Sequence, residues 1–198
     1  MVVFPELSLT GYELDARPIA DRDPRLTPLV RACAHTGSVA LAGAPVRSGT
    51  GRSYIAMLAI DGTAARVAHR KMWLGAAEAS LFSPGERPAV LEVDGWRLGL
   101  AVCKDTGVLQ HASDTATLGM DAYVAGVLET ADDAAVVGER ARRVAAHHGV
   151  WVAVASFAGS TGGGCDRAAG GSGIWSPDGT EITGAGPEPG ALVRATLG

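Results

Sequence analysis

Apolar positions in this chain come in short continuous runs, each closed by a turn signal or followed by residues at helical spacing. Residues 38–46 and 54–60 read as buried strands, with the turn Gly49-Thr50-Gly51 between them. Asp61-Gly62 is a hairpin signal leading to a strand that ends at Lys71, and Asp94-Gly95 is a second, joining 89–93 to 96–102. Thr27-Pro28 reads as an N-cap followed by a first-turn proline, opening a helix to about His35 that Gly37 stops; Leu29, Val30 and Cys33 share its apolar face. Residues 108–118 read as a helix and 122–128 as a short strand. A helix over about 132–148 starts acidic and ends with Arg142, Arg143, His147 and His148, which suits its dipole, and Gly149 caps it. Residues 150–157 read as a strand and the glycine-rich stretch 159–173 as a mobile loop. Ile174-Trp175-Ser176, the turn Pro177-Asp178-Gly179 and residues 191–196 predict a closing antiparallel stretch. Strands joined by both hairpins and helices predict a mixed sheet covered by helices, hence an α/β fold in one domain.

Composition narrows the picture. With 198 residues and 47% hydrophobic content, the chain has enough apolar surface for a sizeable core. A net charge of −4 leaves no basic footprint for a nucleic-acid partner. No apolar run approaches the ~20 residues that span a membrane. Met1-Val2-Val3-Phe4 runs into Pro5-Glu6 without a basic segment or a small-residue cleavage site, so no signal peptide is read. Three cysteines without CxxC spacing argue against a disulfide framework and a zinc site, and point to a reducing, cytoplasmic compartment. Cys33 reads as core and Cys165 as a surface thiol in the glycine-rich loop. His147-His148 reads as a solvated helix end with no metal partner. The Gly162-Gly163-Gly164 and Gly170-Gly171 runs lack the Lys-Ser/Thr ending of a phosphate loop. Neither a metal nor a cofactor is implied.

Three apolar runs end in chemistry. Met1-Val2-Val3-Phe4-Pro5 delivers Glu6, the run from Ala65 delivers Lys71, and Leu98-Gly99-Leu100-Ala101-Val102 delivers Cys103. Taken singly these are ordinary: a strand-end acid, a cation in a His-Arg-Lys cluster, a small buried hydrophobe. Together they supply a base for a thiol and a cation for an oxyanion, without a catalytic histidine.

The motifs around these residues resemble the nitrilase, or carbon–nitrogen hydrolase, superfamily. Val3-Phe4-Pro5-Glu6-Leu7-Ser8-Leu9-Thr10-Gly11-Tyr12 is similar to its glutamate block. His69-Arg70-Lys71-Met72-Trp73-Leu74, then Glu78 and Phe82-Ser83-Pro84-Gly85, is similar to its lysine block. Gly99-Leu100-Ala101-Val102-Cys103-Lys104-Asp105 is similar to its nucleophile block, with Asp105 matching the usual Cys-x-Asp. The resemblance implies a four-layer α-β-β-α sandwich, a homodimer or higher homo-oligomer, and a βα unit ahead of the glutamate block, so that the chain is expected to be N-terminally truncated. It implies Cys103 as nucleophile, Glu6 as general base and Lys71 as oxyanion stabiliser, the last also favouring the thiolate. Glu78 is expected to orient the lysine, the Lys104 backbone N–H to complete an oxyanion hole, and Tyr12 to line the entrance. The implied substrate is a small amide or N-carbamoyl compound, ahead of a nitrile. After Cys103 the run Lys104-Asp105-Thr106-Gly107-Val108-Leu109-Gln110 departs from the family's aromatic-or-arginine and Phe-Pro-Glu pattern, so no particular branch transfers. Two alternatives stand beside this reading: an inactive or structural remnant subunit of the same fold, and a redox-sensing thiol protein using Cys103 alone.

Overall fold

Strands that are apolar on both faces need cover on both faces. The computed structural model, which describes residues 1–20 and 23–198, supplies that cover in four layers. One sheet has the order β1-β2-β3-β4, formed by β1 (Val2–Val3), β2 (Ala40–Arg47), β3 (Ser53–Ile60) and β4 (Ala65–Arg70). Its first pair is parallel and the rest antiparallel. The second sheet contains β5 (Ala89–Val93), β6 (Trp96–Val102), β7 (Ala122–Val127), β8 (Trp151–Ser156), β11 (Gly173–Trp175) and β12 (Glu181–Gly184), in the order β12-β11-β8-β7-β6-β5. Its centre, β6-β7-β8, is parallel and its edges are antiparallel.

Side chains alternate along these strands and so divide between layers. Leu41, Ile55, Met57 and Ala59 of the first sheet meet Leu98, Leu100, Val102, Ala122 and Val124 of the second. The opposite face of the first sheet, with Ala42, Ala44, Ala56 and Leu58, packs on Cys33 of α1 (Thr27–Thr36). The opposite face of the second, with Tyr123, Ala125, Val152 and Val154, packs on Ala112 of α3 (Leu109–Thr117) and on Val137, Ala141 and Val144 of α4 (Ala134–His148). The fold is therefore the expected α-β-β-α sandwich. No helix among the described residues is long and apolar enough to cross a membrane.

Local signals place several boundaries. Asp94 and Gly95 both have positive φ (50° and 83°), the conformation of a two-residue hairpin turn. Gly37 and Gly149 end α1 and α4 in the left-handed conformation.

Three expectations are corrected. Thr27 lies inside α1; the side-chain cap is Asp23, whose carboxylate accepts from Arg25 N–H at the 3-10 turn Pro24–Leu26 that leads into the helix. Residues 191–196 form no strand and Leu192 is 80% exposed. The partner of β11 is β12, because the turn at 177–179, closed by Ser176 N–H to Thr180 O, returns the chain at once. The glycine-rich stretch is pinned in place: β9 (Ala158–Gly159) pairs with β10 (Ala168–Ala169), and Tyr12 and Ala169 N–H groups donate to Thr161 O and Glu129 O.

The segment 4–7 threads between the sheets against two glycines. A Cβ at Gly43 of β2 would stand 2.2 Å from Leu7 N, and one at Gly126 of β7 would stand 2.7 Å from Phe4 O. These are backbone atoms, so the segment itself would have to move. We expect Gly43→Ala to lower stability by about 1–3 kcal/mol, as overpacking does. Gly49→Ala, where nothing lies within 4 Å, should stay within about 0.5 kcal/mol of the parent; paired urea unfolding curves check the difference.

Candidate active site

Glu6 and Lys71 arrive from the first sheet and Cys103 from the second, and the three meet between the sheets. Glu6 sits in the turn after β1, Lys71 one residue beyond β4, and Cys103 at the end of β6, opening a 3-10 turn (Cys103–Gly107). Glu6 and Lys71 are buried and Cys103 is half-buried.

The ammonium of Lys71 is the centre of the cluster. It donates to Glu6 Oε1 at 2.7 Å and to Glu78 Oε1 at 2.6 Å. Two of its three N–H donors are thus used, which leaves one for an incoming oxygen. Glu78 lies in the single turn α2 (Ala76–Ala79) and is buried rather than a helix-surface acid. Its second oxygen accepts from Gly75 N–H at 2.6 Å, while Tyr12 OH donates to Oε1 at 2.7 Å. Tyr12, expected at the entrance, therefore props Glu78. Glu6 Oε2 is buried with no hydrogen-bond partner among the described residues.

Burial sets the proton affinities. It lifts Glu6 to about 7, against the pull of Lys71 and with help from Glu78. Burial also works against the charge of Lys71, but Glu6, Cys103 and Glu78 outweigh it and hold the ammonium above its ordinary value. For Glu78 burial is again the largest influence, yet Lys71 and its hydrogen bonds keep the carboxyl below its usual value. Cys103 is pushed well above an ordinary thiol by burial and by Glu6; Lys71 favours the thiolate, as expected, but does not prevail. The resting group is a thiol, and its reactivity depends on a base. It donates to Leu128 O at 3.2 Å and also lies against Glu6.

Cys103 has φ 44°, a left-handed conformation unusual for a side chain with a Cβ. The next residue, Lys104, turns its ammonium away to Leu74 O at 2.9 Å, and its backbone N–H belongs to the first-turn donors that a helix start leaves unpaired.

The sequence reading passed over part of this neighbourhood. Asp105, noted there only as part of a pattern, is fully buried with His69 and His111, and Tyr123 OH lies 2.7 Å from His111 Nδ1. Nothing local marked this cluster: the Val102 N–H to Asp105 bond has no side-chain cap at Val102 to announce it, and the two histidines lie on other elements. Among the described residues, His69, Asp105 and His111 are also the set with metal-compatible spacing, their donor atoms lying within 4.8 Å of one another. The four lone-pair positions of the Asp105 carboxylate are already taken by N–H donors, from Met72, Trp73, His69 and Val102. The trio therefore reads as a hydrogen-bond network.

Comparisons with known proteins agree with this architecture. A family model described as carbon-nitrogen hydrolase matches residues 1–197. A protein named "Hydrolase in pqqF 5'region" from Pseudomonas protegens is 30% identical over all of this chain and 71% of its own length. Nit3 of Saccharomyces cerevisiae, a nitrilase-superfamily member, superposes with a TM-score of 0.81 at 20% identity, covering 94% of this chain and 72% of that one. The NitN amidase of Nesterenkonia sp. AN1 superposes with a TM-score of 0.80 at 25% identity, covering 96% and 76%. With the α-β-β-α sandwich in place and the family model matching almost end to end, this chain belongs to the carbon–nitrogen hydrolase family.

Proposed function

We propose that the protein is a thiol hydrolase that cleaves a non-peptide carbon–nitrogen bond in a small amide or N-carbamoyl compound, ahead of a nitrile. The observation that carries this is the arrangement around Lys71: an ammonium fixed by two carboxylates, one donor to spare, beside a thiol and a carboxylate oxygen that has no hydrogen-bond partner among the described residues. The likeness to an amidase at 25% identity supports the amide class. The close pairing of Glu6, Lys71 and Glu78 favours an assembled site over the remnant reading. A cytoplasmic homodimer or higher homo-oligomer acting on a small molecule completes the proposal.

In this mechanism Glu6 Oε2 takes the Cys103 proton as sulfur attacks the carbonyl carbon. Negative charge develops on the carbonyl oxygen, where the spare Lys71 N–H and the Lys104 backbone N–H receive it. Glu6 then returns the proton to the departing nitrogen, the C–N bond breaks, and a thioester remains. Water, deprotonated by Glu6, attacks the thioester; the acid leaves and the sulfur regains its proton. A carboxyl near 7 suits both halves of this exchange.

Cys103→Ala should reduce amide turnover by about 10³-fold or more while leaving the unfolding midpoint near that of the parent, since the nucleophile goes but little volume does. Turnover close to the parent's in that variant would overturn the assignment. The pH dependence has a definite sign. Below about 7 Glu6 is protonated and cannot accept the thiol proton; above it the carboxylate is present. The rate of iodoacetamide alkylation at Cys103, read by mass spectrometry, should therefore rise with pH through about 7. In Glu6→Gln the rise should move up toward the thiol's own elevated range.

A further inference from the structure

We propose that Asp105, held by His69, is a positioning clamp that sets the separation of Lys71 from Cys103. The inference rests on the reading of Cys103 as nucleophile and Lys71 as its oxyanion partner. It concerns two residues for which that reading has no role.

One carboxylate brackets both reacting groups. On the lysine side, Asp105 Oδ1 accepts from Met72 N–H at 3.0 Å and Trp73 N–H at 2.9 Å, the two residues after Lys71. Asp105 Oδ2 accepts from His69 Nε2 at 3.0 Å, two residues before it. On the nucleophile side, the same Oδ2 accepts from Val102 N–H at 3.0 Å, the residue before Cys103, while Asp105 itself lies two residues after it. Segments more than thirty residues apart in sequence are thus joined through a single fully buried side chain. Lys71 is further tied at its own backbone, N–H to Ile55 O and O from Gly85 N–H, both at 2.8 Å. With those ties and the bracket in place, its ammonium has little freedom to drift from the thiol.

The bracket also acts on backbone conformation. Cys103 at φ 44° persists only if its surroundings dictate it. The Val102 bond to Asp105 closes the turn from the strand side, and Thr106 Oγ1 donates to Cys103 O at 2.7 Å from the other.

His69 orients the carboxylate. Its Nε2 donates to the carboxylate, and its Nδ1 has no hydrogen-bond partner among the described residues. The His111 ring packs edge-on against His69 and Trp73, each with centroids 5.5 Å apart, and is itself anchored on Tyr123. His69 is thus held against Asp105 by one hydrogen bond and by the edge of a neighbouring ring. Were bulk alone required here, an apolar residue would satisfy the site; what the geometry uses is one N–H aimed at Oδ2.

That distinction is testable by rescue. In His69→Gln the side-chain amide keeps a donor near the position of Nε2, whereas His69→Leu keeps bulk without a donor. We expect His69→Leu and Asp105→Asn to slow iodoacetamide alkylation of Cys103 near pH 8 by about tenfold or more, and to lower kcat on an amide substrate with KM changed by less than about threefold. His69→Gln should stay within about threefold of the parent in both. Cys165, in the same samples, is the internal control. If Asp105→Asn does not fold, the two His69 variants decide the matter. Fast parent labelling that is unchanged in His69→Leu, or a His69→Gln as impaired as His69→Leu, would overturn the clamp alone. Parent Cys103 labelling no faster than Cys165 would overturn the nucleophile reading, and the clamp with it.

Discussion

Burying a lysine between two sheets is the constraint on which the rest of the site depends. An ammonium removed from water must be paired, and removing either partner would leave an uncompensated charge inside the protein. Lys71 meets this demand with Glu6 on one side and Glu78 on the other. The pairing is lopsided, two carboxylates to one cation, and burial settles the excess by raising Glu6 while Glu78 stays low. Because the folded-state value of Glu6 lies above its ordinary one, the group supports the fold most when protonated, and that support fades as pH climbs through about 7. The same departure from ordinary behaviour makes Glu6 fit to exchange a proton near neutrality. Stability surrendered at one carboxylate thus accompanies a base tuned for the proposed reaction.

The scaffold holds this arrangement by close approach of backbones as much as by side-chain packing. The segment carrying Glu6 passes where Gly43 and Gly126 offer no Cβ, and so reaches the sheet interface without parting the layers. Leu41, Leu100 and their neighbours then close an apolar wall around the charges. A dry wall strengthens each ionic contact inside it and raises the penalty for leaving any of them unmade. Tyr12 and Gly75 occupy two more lone pairs of Glu78, so polar satisfaction extends outward from the lysine.

Lys71 and Cys103 share no direct structural element, and their alignment is relayed. Asp105 joins the two loops through four N–H donors. His69, placed two residues before Lys71 on β4, points its ring across to the second sheet's turn. The ligand-like spacing of His69, Asp105 and His111 is a by-product of this bonding, since the carboxylate has no acceptor position left over.

What the amino-acid sequence determined by itself was whatever depends on neighbours along the chain. Strand runs at 54–60 and 96–102, the Asp94-Gly95 turn and the glycine stops after α1 and α4 all follow from periodicity or from a local φ requirement, and were legible. The Glu6, Lys71 and Cys103 blocks were legible as motifs for the same reason: each is a short contiguous string. Local signals misled where a nearer competitor existed. Asp23 took the cap that Thr27 offered, and β12 took the pairing read onto 191–196. Tertiary structure alone decided the pinning of the glycine-rich stretch, the burial of Glu78, the protonated rest state of Cys103 and the gathering of Asp105 with His69. Each of these depends on desolvation or on a hydrogen bond between residues distant in sequence. Neither leaves a periodic trace in the chain, because both come into being only when the two sheets close on one another.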